Sequence, residues 1–313
     1  MRWHLALPLA TLAVLTLLLV FGDDALLPGR AFQVFWNLGH AVYFAFITWL
    51  LLHWPWLKRQ PCWLQWAVPL AVTLLIGGTI ELLQIGTERT ADVMDMLRNL
   101  GGSLLVLGLL PVLPSERKAW RWPLRLAALA LLLYLLLPFI QVLYDDAMAR
   151  RQFPVLADFA APLELSRWQG NADYRLARPP NSDEPALAIT LKPGVAYPGV
   201  SLKHFPGDWR GYRELRVRLY LQGSEPLSLT LRIHDRAHET GPRAFEYSDR
   251  FNRSFRLQPG WNELTVPLED IRKAPTRRAM DLSQLVDLSL FVTRLKQTRI
   301  LYLQRIELLL IRQ

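Results

Sequence analysis

Two patterns of hydrophobic and polar positions divide the chain. Up to about residue 149 the apolar positions come in long, mostly apolar runs, at 5–21, 31–52, 63–85, 92–113 and 122–144. A helix of about 20 mostly apolar residues crosses the ~30 Å hydrocarbon core of a bilayer. The runs therefore predict five transmembrane helices, the first slightly short. Trp54, Trp56, Trp63, Trp66, Trp120, Trp122 and Tyr144 cluster at their ends, where amphipathic rings favour the headgroup zone. From about residue 158 the period becomes two. Leu215, Val217, Leu219 and Leu221 alternate with Arg216, Arg218 and Tyr220, and Leu227, Leu229, Leu231 and Ile233 alternate with Ser228, Thr230, Arg232 and His234. Both stretches read as half-buried antiparallel strands. Further strands are predicted at 186–191, 254–257, 262–266, 288–293 and 300–311, separated by Gly- and Pro-bearing turns at 192–194, 206–207, 223–226 and 259–260. The fold class predicted is a multi-domain membrane protein. An all-α bundle of about five transmembrane helices (1–149) precedes an all-β jelly-roll sandwich (150–313).

Charge follows the same division. Residues 1–149 carry 10 basic and 9 acidic side chains, whereas residues 150–313 carry 26 and 18, so the net charge of +9 sits almost wholly in the second half. A hydrophobic content of 51% excludes a disordered chain. The single cysteine, Cys62, excludes an internal disulfide framework and any multi-cysteine metal site. Gly22-Asp23-Asp24, after the first run, lacks the small-x-small pattern of a signal-peptide cleavage site, so that run is read as an uncleaved span. Arg2, Lys58, Arg59, Arg117, Lys118 and Arg121 fall on one side of the predicted spans, and Arg30, Arg89 and, just after the fifth span, Arg150 and Arg151 on the other, where they are outvoted. Basic flanks stay in the cytoplasm, which places the N-terminus inside and residues 150–313 outside. A basic surface there suits anionic headgroups or phosphate-bearing polymers, or is a solvated face without a partner. Nucleic acid is not an expected partner.

Ionisable groups inside a bilayer cost at least ~2.5–3.5 kcal/mol each on insertion scales and need partners or a wet cavity. Glu81 and Gln84, three apart, share a face at the end of the third run. Asp92, Asp95 and Asn99 form a polar stripe in the fourth, and His40 and Tyr43 share a face of the second. Arg89 stands between the third and fourth as a partner for the three carboxylates. If these helices pack together, the eight residues line one polar site in the outer half of the bilayer, with Gly101 and Gly102 admitting a close neighbour. One protonated and one ionised carboxyl supply a proton donor and an acceptor, so Glu81, Asp92 and Asp95 are the catalytic candidates if the chain is an enzyme. The structural alternative has Asp92 capping a helix and Asn99 bridging two helices.

The pattern Glu81-x-x-Gln84, then Arg89-x-x-Asp92-x-x-Asp95-x-x-x-Asn99-x-Gly101, preceded by His40-x-x-Tyr43, resembles the VanZ-like membrane family over roughly residues 30–113. Trp36-Asn37 stand where members of that family often carry an Asp-Lys pair. The resemblance implies an integral, multi-pass protein of the bacterial cytoplasmic (inner) membrane, within the cell envelope.

In the second half, Asp208-Trp209-Arg210-Gly211-Tyr212-x-x-Leu215, Pro259-Gly260-Trp261-Asn262 and Tyr302-Leu303-x-x-Ile306-x-Leu308 resemble jelly-roll carbohydrate-binding modules of the galactose-binding-like type. The resemblance implies a glycan ligand. Such sites stack exposed aromatics on sugar rings beside Asp, Asn and Arg, and His234, Asp235, Tyr247, Asp249 and Arg253 supply those types. Trp209 and Trp261 are assigned to the core. His234 and His238 are four apart, but in a predicted strand and turn rather than a helix, which disfavours zinc; no loop is acidic enough to assert a calcium site, and no cofactor is expected.

Three functions remain open on the sequence. In the first, the membrane part meets a lipid-linked or glycan-linked molecule in the outer leaflet, among membrane lipids, while a tethered sandwich holds an envelope glycan at raised effective concentration. In the second, Glu81, Asp92 and Asp95 perform acid–base chemistry on an envelope precursor. The third is a proton-coupled transporter or channel with the same acids as a relay.

Overall fold

The computed structural model describes residues 10–12, 14–16, 29–84, 93–113, 115–180, 182–241 and 244–310, the side chains of Glu81, Leu83, Gln84, Ser115 and Glu116 excepted. They fall into two compact units, Met1–Leu143 and Tyr144–Gln313.

Proline sets most helix ends in the first unit. Helix α1, Arg30–His53, stops where Trp54 turns extended ahead of Pro55, because a residue before proline avoids helical backbone. Pro55 then opens the short α2, Pro55–Lys58, at a position where its missing N–H costs nothing. Helix α3 runs Cys62–Gln84. Helix α4, Val93–Leu109, ends before Pro111. A 3-10 turn, Ser115–Trp120, leads into α5, Arg121–Gln152, which reaches into the second unit.

Among the described residues, three segments are long and apolar enough to cross a membrane: Arg30–His53, Cys62–Ile80 and Arg117–Gln152. Five were expected. Most of the first expected span lies outside the described residues. The fourth is represented by the 17 residues of α4, and its described part is shorter than a full crossing. Along α5, Leu126, Leu129, Leu133, Leu137, Ile140 and Leu143 are all exposed.

Small residues decide how the helices approach. A Cβ on Gly102 would lie 2.0 Å from the Ala41 carbonyl oxygen, so α4 and α1 meet backbone to backbone. One on Gly108 would lie 2.7 Å from the Cβ of Ala128 on α5. Tyr43, Phe44, Ile47 and Ile80 form the apolar centre between α1 and α3.

The second unit is a sandwich of two antiparallel sheets. Its strands are β1 Val155–Ala157, β2 Trp168–Gly170, β3 Asp173–Ala177, β4 Ala186–Leu191, β5 Gly199–Leu202, β6 Tyr212–Leu221, β7 Leu227–Asp235, β8 Phe251–Leu257, β9 Gly260–Pro267, β10 Leu285–Phe291 and β11 Arg299–Leu310. One sheet runs β3-β4-β11-β6-β9 with β1 also on β11, and the other runs β2-β5-β10-β7-β8. The predicted alternation becomes the core: Leu215, Val217, Leu219 and Leu221 face Leu229, Leu231 and Ile233 between the sheets. Trp209 is buried with its indole N–H donating to the Pro206 carbonyl at 3.1 Å. Trp261 departs from its expected core position. It lies partly exposed with Tyr220, their ring centroids 5.4 Å apart, under the Arg218 guanidinium.

Arg167 and Asp145, each about 1% exposed, bind through two guanidinium nitrogens at 2.8 and 2.9 Å. Asp145 sits in the last turns of α5, and this pair with Gln152 ties those turns into the sandwich unit.

Candidate functional site

The outer face of the five-stranded sheet is a polar groove of about 550 Å³. Strand register builds its floor. On β7, Leu229, Leu231 and Ile233 point into the core, so Thr230 and Arg232 point out. Across the strands, Asn252, Arg232, Ser289 and Ser201 stand opposite one another in one rank. Ser254, Thr230, Phe291 and Gly199 make the next. Hydrogen bonds run along each rank: Arg232 Nη2 donates to Ser289 Oγ at 2.8 Å, Ser201 and Ser289 hydroxyls lie 2.7 Å apart, and Thr230 and Ser254 hydroxyls 2.9 Å apart. A Cβ at Gly199 would fall 2.6 Å from that of Phe291, so glycine keeps this end of the floor low.

Aromatic rings stand at the rim. Tyr197 and Tyr247 are exposed, and Tyr197 meets Phe291 edge-on with centroids 5.7 Å apart. Tyr197 holds a positive φ of 52°, a strained conformation for a side chain of this size and one that recurs where ligands bind. Arg250 lies over the Tyr247 ring at 5.4 Å. The amide Nδ2 and Oδ1 of Asn252, and the Nε of Arg250 and of Arg232, are buried without hydrogen-bond partners. Buried polar atoms in this condition are uncommon in folded proteins.

A charged network behind one end of the groove fixes the loop that carries Tyr247 and Arg250. Arg278 grips Asp249 through Nε and Nη2, each at 2.7 Å, and Asp235 through Nη2 at 2.7 Å. Asp235 also accepts the N–H of Asp281 at 2.8 Å and caps the short helix α6, Arg236–Thr240, through the N–H of His238. The two carboxylates raise the Arg278 pKa, and its hydrogen bonds hold Asp249 below the usual carboxylate range. Burial lowers both His234 and His238. Burial pushes Asp287 up, but Lys203, Ser289 and His234 outweigh it and its pKa ends low.

Of the residues singled out in this half by sequence, Tyr247 lines the groove. His234, Asp235 and Asp249 are buried in the supporting network. Arg253 turns away from its neighbours Asn252 and Ser254 and pairs with Asp270 at 2.7 Å. The groove floor itself was missed. Its signal was present in the outward positions of the predicted strands, the small hydroxyl and amide residues between core leucines.

In the helical unit, α4 and α1 bring three of the expected polar residues together. His40 Nδ1 lies 3.1 Å from Asn99 Oδ1 and its Nε2 3.7 Å from Asp95 Oδ2. Arg98, one turn on, pairs with Asp95. Tyr43 points elsewhere, its hydroxyl 2.9 Å from that of Thr16. Arg89 and Asp92, and the side chains of Glu81 and Gln84, lie outside the described residues. Sequence reasoning passed over a second buried cluster. Thr48 donates to Ser103 at 2.9 Å, Ser103 and Thr73 lie 2.6 Å apart, and Thr73 donates to the Pro69 carbonyl at 2.9 Å.

No protein-family model matches the chain, and no curated protein does. Solved structures are similar over the sandwich half. A family 11 carbohydrate-binding module from Clostridium thermocellum, in complex with a β-1,3-1,4-mixed-linked tetrasaccharide, is 13% identical with a TM-score of 0.39, covering 50% of this chain and 94% of that one. An exo-β-agarase is 15% identical with a TM-score of 0.40, over 51% of this chain and 25% of that one. The CBM22-1–GH10 modules of Clostridium thermocellum xylanase 10B, complexed with xylohexaose, are 12% identical with a TM-score of 0.32, over 48% and 27%.

Proposed function

We propose that the chain is a multi-pass membrane protein of the VanZ-like type, with five spans, whose extracytoplasmic sandwich holds a glycan of the cell envelope in the groove of its five-stranded sheet. The observation that carries this reading is the combination in one groove of exposed aromatic rings (Tyr197, Tyr247), ranks of hydroxyls, and an Asn252 amide with neither end satisfied. Sugars present apolar ring faces and a fringe of hydroxyls, and such a groove answers both. Within the same reading, the cluster of His40, Asp95 and Asn99, with Tyr43, Glu81, Gln84, Arg89 and Asp92 nearby in sequence, serves a lipid-linked or glycan-linked group in the outer leaflet. Exposed apolar residues along α5 support a hydrocarbon environment for the helices.

The test is calorimetric titration of the full chain in detergent micelles with a panel of tetrasaccharides. Binding is expected, weakened about tenfold or more by Tyr247→Ala, since loss of one stacked ring removes about 1–3 kcal/mol in comparable stacking contacts. A panel without a ligand, or a Tyr247→Ala protein that binds as the parent does, would refute the groove.

A further inference from the structure

The groove has a charge as well as a shape. Among the described residues its lining includes Arg232 and Arg250 and not one carboxylate. Arg232 is committed: its guanidinium binds Ser289 at 2.8 Å and reaches Asp287 at 3.4 Å. Asp287, beneath this part of the floor, is shared between Arg232 and Lys203, so its charge is already matched.

Arg250 is different. It makes no ion pair among the described residues, its Nε is buried without a partner, and its guanidinium lies over the Tyr247 ring. Burial and the neighbouring charge of Arg232 lower its pKa by more than Tyr247, Asp287 and Tyr197 raise it, so the guanidinium is left undercompensated. Two residues on, along the same face, the Asn252 amide is also unsatisfied. A half-buried guanidinium with an empty donor is costly alone, and its planar fork matches a carboxylate in two parallel hydrogen bonds.

We infer that the groove takes an acidic saccharide, with the carboxylate of a uronic acid seated on Arg250 and Asn252 while the sugar ring lies against Tyr247. This rests on the glycan-groove reading above and adds the chemical class of the ligand. Seating the carboxylate gives the Arg250 guanidinium a counter-charge at the groove lining, beside the Asn252 amide.

The experiment compares matched tetramers on the full chain in micelles of a neutral detergent: β-1,4-glucose against β-1,4-glucuronate, and α-1,4-galactose against α-1,4-galacturonate, with a sulfated glucose tetramer as a second anion. At least tenfold tighter binding is expected for one uronate over its neutral counterpart. Arg250→Gln should erase that preference, and Arg250→Lys should keep part of it. Equal affinity for acid and neutral tetramers, or a preference that survives Arg250→Gln, overturns the inference and leaves the glycan groove standing. Tighter binding of the sulfated tetramer overturns the carboxylate assignment. Binding of none of the five removes both readings.

Discussion

The two units bury polar groups in opposite ways. Between the helices the contacts are short-armed and mostly uncharged: Thr48, Ser103 and Thr73 in one chain of hydroxyls, His40 against Asn99 in another pair. In the sandwich they are ionic and branched, as with Arg278 on Asp235 and Asp249, Asp287 between Lys203 and Arg232, and Arg167 on Asp145. The difference follows from what each architecture leaves unsatisfied. A helix satisfies its own backbone, so helices can touch through glycine and need only small side-chain bridges. A sandwich closes its ends with loops, whose positions have to be fixed by long side chains reaching back to strand ends.

That contrast can be broken most severely at Arg167. Arg167→Ala removes the buried guanidinium that the Asp145 carboxylate binds, and should cost the sandwich unit about 3–5 kcal/mol. Hydrogen exchange on the full chain in micelles should show protection lost in the sandwich strands and kept in α1, α3 and α4. Equal losses in those helices would erase the distinction. A smaller effect, about 1–3 kcal/mol, is expected for Gly102→Val, whose side chain has no room against Ala41. Here the loss of protection should fall on α1 and α4 and spare the sheets.

The smallest effect is titrimetric. His234 faces Glu239, Asp287 and His238, and His238 faces Asp249, Arg250 and Arg232. Burial lowers both histidines from 6.5, so below that pH the unfolded chain takes up protons before the folded one does. Sandwich stability is then complete above about pH 6.5 and declines gradually as pH falls through the folded values. Urea midpoints measured between pH 7.5 and 5 should record this decline, and a His234→Gln, His238→Gln protein should flatten it.

Much of the architecture was legible in the sequence because a single signal, periodicity, carried it. The strict alternation of 215–221 and 227–233 became β6 and β7, at the heart of opposing sheets. Strands β1, β2, β3 and β5 were not legible: they are three to five residues long, too short for a period to show. Site residues were harder. Asp235 and Asp249 have the chemistry of ligand-binding groups, yet burial behind Arg278 was invisible until long-range packing placed Arg278 between them. Arg232, Asn252 and Ser289 become neighbours only through register across three strands, and no local pattern encodes that meeting. In the helices, His40 and Asn99 came together across 59 positions because each lay on a polar stripe that could be read by spacing.

The hydroxyl chain of the helical unit bears on the transporter alternative. Each hydroxyl has one proton to give, and Thr73 gives its own to the Pro69 carbonyl, so Ser103 must donate to Thr73 and Thr48 to Ser103. The file therefore has a direction and terminates on an oxygen that has no proton to pass onward. As arranged, it is a cul-de-sac for hopping charge: it clasps three helices together, and conduction along it would first require that last link to break.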